Sequence, residues 1–220
     1  MNRLSNRENR LCAILCNAMI VALEVIGVII STVKSIDTGS GWLQFQYYTQ
    51  DSNYFAMIVS ILFLVVACRT GRKAPLPRWL VLLRYIATCL LSVTFLVIVF
   101  ILCPPYGWEG YRIALLTDAQ VFQHLICPVL SFLSLILFED TPKQKGASLL
   151  SLIPTVIYAV VAVSLNAAKV WHGPYPFFYV YEQPWWQSLL FALIIPAGAY
   201  LAAFFLLLGM KKREKKGIKA

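Results

Sequence analysis

Residues 80–102 read LVLLRYIATCLLSVTFLVIVFIL, with Arg84 as the one charged side chain. A helix rises about 1.5 Å per residue and needs roughly 20 apolar residues to cross about 30 Å of hydrocarbon. This run is long enough, so it predicts a membrane-spanning helix. Working outward, five more runs meet the same test: 11–33, 48–68, 119–138, 148–168 and 187–209. The second contains Asp51, Ser52 and Asn53. Residues 54–68 alone would be too short to span, so its helix is expected to begin near Tyr48.

Composition agrees. Of 220 residues, 60% are hydrophobic and 13% charged, against about half and a quarter in soluble domains. The expectation is an all-α membrane protein: a bundle of six transmembrane helices in a single integral-membrane domain, residues 1–220, ending in a basic tail, 210–220. Arg3, Arg7 and Arg10 before an apolar run imitate a signal peptide. The run is longer than a signal core and no A-x-A-like cleavage site follows, so it reads as a retained first span.

The net charge of +9 does not indicate nucleic acid, because the basic residues flank apolar runs and form no groove or recognition motif. They set orientation instead. The N-terminal tail, the 69–79 and 139–147 loops and the C-terminal tail hold 3, 4, 2 and 6 Lys/Arg, or 15, against Lys34, Arg112 and Lys169 on the other side. Both termini are therefore expected to be cytoplasmic, in an integral protein of a bacterial plasma membrane. Arg84 is expected to snorkel toward the cytoplasmic side. The outer loops are rich in Trp, Tyr and Phe, which fit an interfacial aromatic belt or, alternatively, the roof of a lipid-accessible cavity. The six cysteines form no CxxC pair or Cys/His ligand pattern, so neither a disulfide framework nor a metal site is expected, and no cofactor is implied.

Ionisable residues inside a span are costly and mark functional sites. Glu24 and His124 are the two prominent cases. Gln120, His124, Cys127, Ser131 and Ser134 follow helical spacing and predict a polar stripe on the fourth span. Pro128 predicts a kink one turn beyond His124. Thr49, Asn53 and Ser60 share a face of the second span, Arg84, Thr88 and Ser92 one of the third, and Thr155, Tyr158 and Asn166 one of the fifth. Such residues also serve as interhelical glue. Helix rise puts His124 roughly 8–9 Å and Glu24 roughly 12 Å below the outer ends of their spans. Glu24 is then placed to hold one ring nitrogen of His124 and free the other. Below Ser134 the fourth span runs Leu-Ile-Leu-Phe, which predicts no polar path to the cytoplasmic side. Asp51 and Ser52 also fit a capped helix start.

Three short motifs carry a family resemblance: QYYTQDSN at 46–53, His124-Leu-Ile-Cys-Pro128, and Gly173-Pro174-Tyr175-Pro176-Phe177-Phe178 before the last span. In this order they resemble the bacterial relatives of the androgen-induced and androgen-dependent six-helix membrane hydrolases. The resemblance implies hydrolysis of fatty-acid esters of hydroxy fatty acids, with Thr49 as nucleophile and His124 as base. Cys127 is the alternative nucleophile, since a related acyltransferase branch pairs a Cys with a His. In that chemistry the imidazole activates the hydroxyl and returns the proton to the leaving alkoxide. Asn53, one turn from Thr49, would donate to the oxyanion, and Glu24 would support. The expected partners are membrane lipid and a lipid-ester substrate. The competing readings are a channel, carrier or sensor using Glu24 and His124 as a relay, and a structural membrane protein with a polar core.

Overall fold

The computed structural model describes residues 6–70 and 74–218. Arg3, Arg72, Lys73 and Lys219, counted in the charge bias, lie outside them. Seven helices follow in order: α1 Asn6–Asp37, α2 Tyr48–Thr70, α3 Arg78–Leu102, α4 Gly107–Leu116, α5 Val121–Phe138, α6 Ala147–Ala167 and α7 Trp185–Ile218. No strand occurs among the described residues. All but α4 are long and apolar enough to cross a membrane, and they match the six expected spans within a few residues. α1 is longer at both ends, and α7 continues as helix through most of the segment read as a tail. α4 is a ten-residue helix beyond the end of α3.

Proline chemistry explains the irregular turns. Pro128 lacks the N–H that an α-helix would use. A kink is expected one turn beyond His124; the irregularity present is a π-helical stretch, Val121–Ile126, that contains His124 and directly precedes the α-helical Cys127–Phe138. A second π stretch, Ile98–Leu102, precedes Pro104 and Pro105. Pro154 divides α6 into Ala147–Leu150 and Ile153–Ala167.

α1 packs on α2, α2 on α3, α3 on α5 and α5 back on α1, and α7 covers α3 and α5. α6 is peripheral, and polar and aromatic side chains tie it to its neighbours beside the buried Ala147 and Ala162. The Tyr48 and Thr155 hydroxyls lie 2.7 Å apart, and the Tyr158 hydroxyl donates to the Gln46 carbonyl at 2.7 Å. Tyr85 ties α3 to α7 by donating to the Ala203 carbonyl.

Four basic segments meet at one end. Arg10 donates to the Ala74 carbonyl at 3.2 Å and faces Asp140 at 3.6 Å. Gln144 donates to the Arg78 carbonyl at 3.1 Å. Arg213 donates to the Ile136 carbonyl at 3.1 Å and to that of Glu139, satisfying carbonyls at the C-terminus of α5. At the aromatic end Lys34 pairs with Asp118 at 3.0 Å and the Trp171 indole donates to Gln46.

Arg84 does not snorkel. It is 1% exposed, and its guanidinium grips Glu139 two-handed: Nε to Oε2 at 3.1 Å and Nη2 to Oε1 at 2.9 Å. Nη1 donates to Ser60 at 3.3 Å and Nη2 to Ser131 at 3.4 Å. Glu139 Oε1 also accepts from Asn17 at 3.1 Å and Ser134 at 2.7 Å. The Thr88 and Ser131 hydroxyls meet at 2.7 Å. The fork geometry of a guanidinium matches a carboxylate, and the extra donors complete it. Snorkelling would have left Glu139 buried without a cation, which costs more than holding Arg84 inside.

Removing one partner of a buried ion pair costs about 3–5 kcal/mol, while an apolar replacement of both is often tolerated. Arg84→Met and Glu139→Gln are each expected to lower the thermal unfolding midpoint of the detergent-purified protein substantially. Arg84→Met/Glu139→Leu is expected to recover part of the loss. A double variant less stable than either single one would show that the pair does not act as a unit.

Candidate functional site

Thr49 is the second residue of α2 and His124 the fourth of α5. Both are buried. By helix rise they lie about 2 and 5 Å in from the starts of their own helices, since α5 begins at Val121, two residues later than expected. Asn53 joins the two segments. Its amide nitrogen donates to the Thr49 carbonyl at 2.7 Å and to the Gln123 carbonyl at 3.2 Å. Both its N–H bonds are thereby used, so Asn53 is a strut between α2 and α5 rather than a free oxyanion donor.

The two side chains turn to different partners. The Thr49 backbone N–H donates to the Tyr175 hydroxyl at 3.4 Å, and its side chain lies against the same hydroxyl. His124 Nδ1 bonds to the Ala114 carbonyl of α4 at 2.8 Å. A carbonyl only accepts, so Nδ1 carries the proton and Nε2 keeps its lone pair. This is the orienting task expected of Glu24, and α4 performs it instead. Glu24 is fully buried elsewhere: both its oxygens lack a conventional hydrogen-bond partner, and the Cys127 thiol faces them. Cys127 is thus directed at Glu24. The expected cap at the start of α2 is also absent in that form, because Ser52 Oγ donates back to the Thr49 carbonyl at 3.0 Å and meets Thr94 at 2.9 Å.

The π stretch rearranges the expected polar stripe of α5. Gln120 lies outside the core, and Gln123 is buried in its place. A π turn adds a residue, so consecutive positions 123 and 124 both point inward. The Gln123 and Gln50 amides exchange bonds at 3.1 and 3.2 Å, and Ser31 completes the cluster. Gly27 admits this packing, since a Cβ there would sit 3.3 Å from Gln123 Cγ.

Asn17, Glu24 and Ser31 repeat every seven residues along one face of α1. They meet Glu139, Cys127 and Gln123 of the α5 segment in turn. A polar seam therefore runs the length of the α1–α5 contact. The apolar Leu-Ile-Leu-Phe end of α5 does not stop it, because Asn17, Ser134 and Glu139 carry it past that point.

Beside the site, peripheral α6 leaves a groove of about 810 Å³ against α2 and α3 at the aromatic end. Tyr48, Phe55, Leu90, Ile157 and Tyr158 give it an apolar lining, and Asp51 is its one charged residue. Thr49 itself does not line it. It lies about 100° round α2 from Tyr48, the angle of one residue. Among the described residues no group of His, Cys, Asp or Glu is placed to hold a metal ion.

Protein-family models, curated proteins and solved structures yield no match to this chain.

Gln123, Glu139 and Ala114 belong to the site or its frame and were not expected. Glu139 had one available signal, an acidic residue closing an apolar span while Arg84 stands alone inside another. Ala114 acts through its backbone and leaves no trace in sequence. With Nδ1 held by that carbonyl, ¹⁵N NMR of histidine-labelled protein is expected to show His124 as the Nδ1–H tautomer at neutral pH. Finding the Nε2–H form would overturn this assignment.

Proposed function

We propose that this chain is an intramembrane hydrolase or acyl transferase acting on a lipid ester, with Thr49 as nucleophile and His124 as base. The reading rests on the motif resemblance and on one observation above all. Asn53 ties the Thr49 and Gln123 peptides together, which sets the first turns of α2 and α5 side by side in the same half of the bundle. The fixed Nδ1–H of His124 leaves Nε2 with the lone pair that a general base needs. The apolar groove offers a berth for an acyl chain entering sideways from lipid. By the 15-to-3 basic bias, the termini face the cytoplasm and the groove opens to the outer leaflet of a bacterial plasma membrane.

The steps follow from these roles. Nε2 takes the Thr49 proton as Oγ1 attacks the ester carbonyl. The carbonyl oxygen gains negative charge, and the Tyr175 hydroxyl beside Thr49 replaces Asn53 as its donor. Collapse breaks the C–O bond, the leaving alkoxide takes the proton from the imidazolium, and the acyl group stays on Thr49. Water, or a second alcohol, then releases it by the reverse proton path.

A positioned general base contributes about 10²–10⁴-fold. A fluorophosphonate probe is expected to label the purified protein at Thr49. Thr49→Ala is expected to abolish labelling, His124→Ala to slow it at least 100-fold, and Tyr175→Phe to slow it less. An unlabelled wild-type protein would overturn the reading, and label on Cys127 would move the nucleophile.

The seam favours a second reading, a proton-coupled carrier. Glu24 stands at its middle without a conventional partner, between the Gln50–Gln123 cluster and the Arg84–Glu139 network. That reading expects pH-driven flux in proteoliposomes that Glu24→Gln removes, with Thr49→Ala leaving it intact. Wild-type vesicles that hold a pH gradient as long as empty ones would exclude it.

A further inference from the structure

A second cavity, about 460 Å³, opens at the basic end, between the turn joining α5 to α6 and the end of α7. Three cations line it, Lys143, Lys145 and Lys211, against one anion, Glu214. None of the three lysines has an ion-pair partner among the described residues. Its wall also holds two stranded hydrogen-bonding groups. Thr141 is 5% exposed, and its hydroxyl is buried without a partner. Gln144 spends its amide nitrogen on the Arg78 carbonyl, which leaves its buried oxygen with nothing to accept. Buried polar groups left unpaired are costly, so two in one cavity wall ask for a ligand with donors. Leu149, Tyr200 and Leu207 add apolar lining. They belong to α6 and α7, two of the helices long and apolar enough to cross a membrane, so the cavity is continuous with an apolar helix surface.

The required ligand is anionic enough for three lysines, carries hydroxyl donors, and is continuous with an apolar tail. We propose that this cavity binds the head group of an anionic glycerophospholipid with a hydroxylated head, its phosphate held by Lys143, Lys145 and Lys211 and its hydroxyls by Gln144 and Thr141. A phosphate inside a cluster of lysines gains charge-assisted hydrogen bonds, and each basic residue near an anionic membrane surface adds attraction. The site is separate from Thr49 and His124 and does not depend on their chemistry.

The test is thermal unfolding of the full chain in neutral detergent with added phosphatidylglycerol, phosphatidic acid, phosphatidylcholine or inorganic phosphate. Phosphatidylglycerol is expected to raise the midpoint saturably, by several degrees, phosphatidic acid less, and phosphatidylcholine not at all. Inorganic phosphate at millimolar concentration is expected to give no comparable shift; an equal one would reassign the site to a soluble phosphate. Lys143→Gln/Lys145→Gln/Lys211→Gln is expected to weaken phosphatidylglycerol binding at least tenfold with the lipid-free midpoint unchanged. Lys34→Gln, at the other end of the bundle, is the control and keeps full binding. Gln144→Leu is expected to erase the preference for phosphatidylglycerol over phosphatidic acid while both still bind. Undiminished binding by the triple variant, or a preference that survives Gln144→Leu, would overturn the proposal.

Discussion

The bundle is organised around a charge pair that a membrane interior punishes unless it is complete. Arg84 and Glu139 sit within the basic-end half of the bundle, and every strong donor and acceptor between them is matched. Their shell comes from Asn17 of α1, Ser60 of α2, and Ser131 and Ser134 of α5. Four helices thus share one polar node. Because the buried pair draws its remaining hydrogen bonds from the other three helices, the node favours one rotation of all four about their axes. Glu139 also stands at the C-terminus of α5, where a negative charge opposes the helix dipole. Arg84 and Arg213 offset that cost from two sides.

The rotations set at this node decide what the far end of the bundle can present. α1 carries polar residues at a seven-residue repeat, and the node fixes that face against α5. The same face therefore delivers Glu24 to Cys127 and Ser31 to Gln123 higher in the membrane. α2, rotated so that Ser60 meets Arg84, necessarily turns Asn53 and Thr49 inward seven and eleven residues earlier. The candidate site is the aromatic-end consequence of a register set at the basic end. α6 takes no part in the node, and the groove exists because that helix packs loosely.

Much of this was legible in the sequence. Hydropathy located all six spans, since lipid imposes a length that the chain must state openly. The inward faces of α2 and α3 were readable from Thr49, Asn53 and Ser60, and from Arg84 and Thr88, because α-helical spacing holds there. Reading failed where spacing changed or where the backbone did the work. The π stretch before Cys127 moved Gln123 inward and Gln120 outward, and no side-chain pattern announces a π turn. Arg84 was misjudged because a lone arginine near a helix end usually snorkels. Its partner stood 55 residues away, at the edge of another span. The orientation of His124 by Ala114 was invisible because the acceptor is a main-chain carbonyl.

The distance between Arg84 and Glu139 also governs the order of assembly during synthesis. A lone arginine in a spanning helix opposes insertion, by about 2.5–3.5 kcal/mol at the helix centre. Its counter-charge is made 55 residues later. At roughly 5–20 residues per second the ribosome takes ~3–11 s to deliver it. Through that interval α3 must keep Arg84 near the head groups or in water. The carboxylate and the Ser131 hydroxyl that satisfy Arg84 therefore become available only once the fourth span has been made.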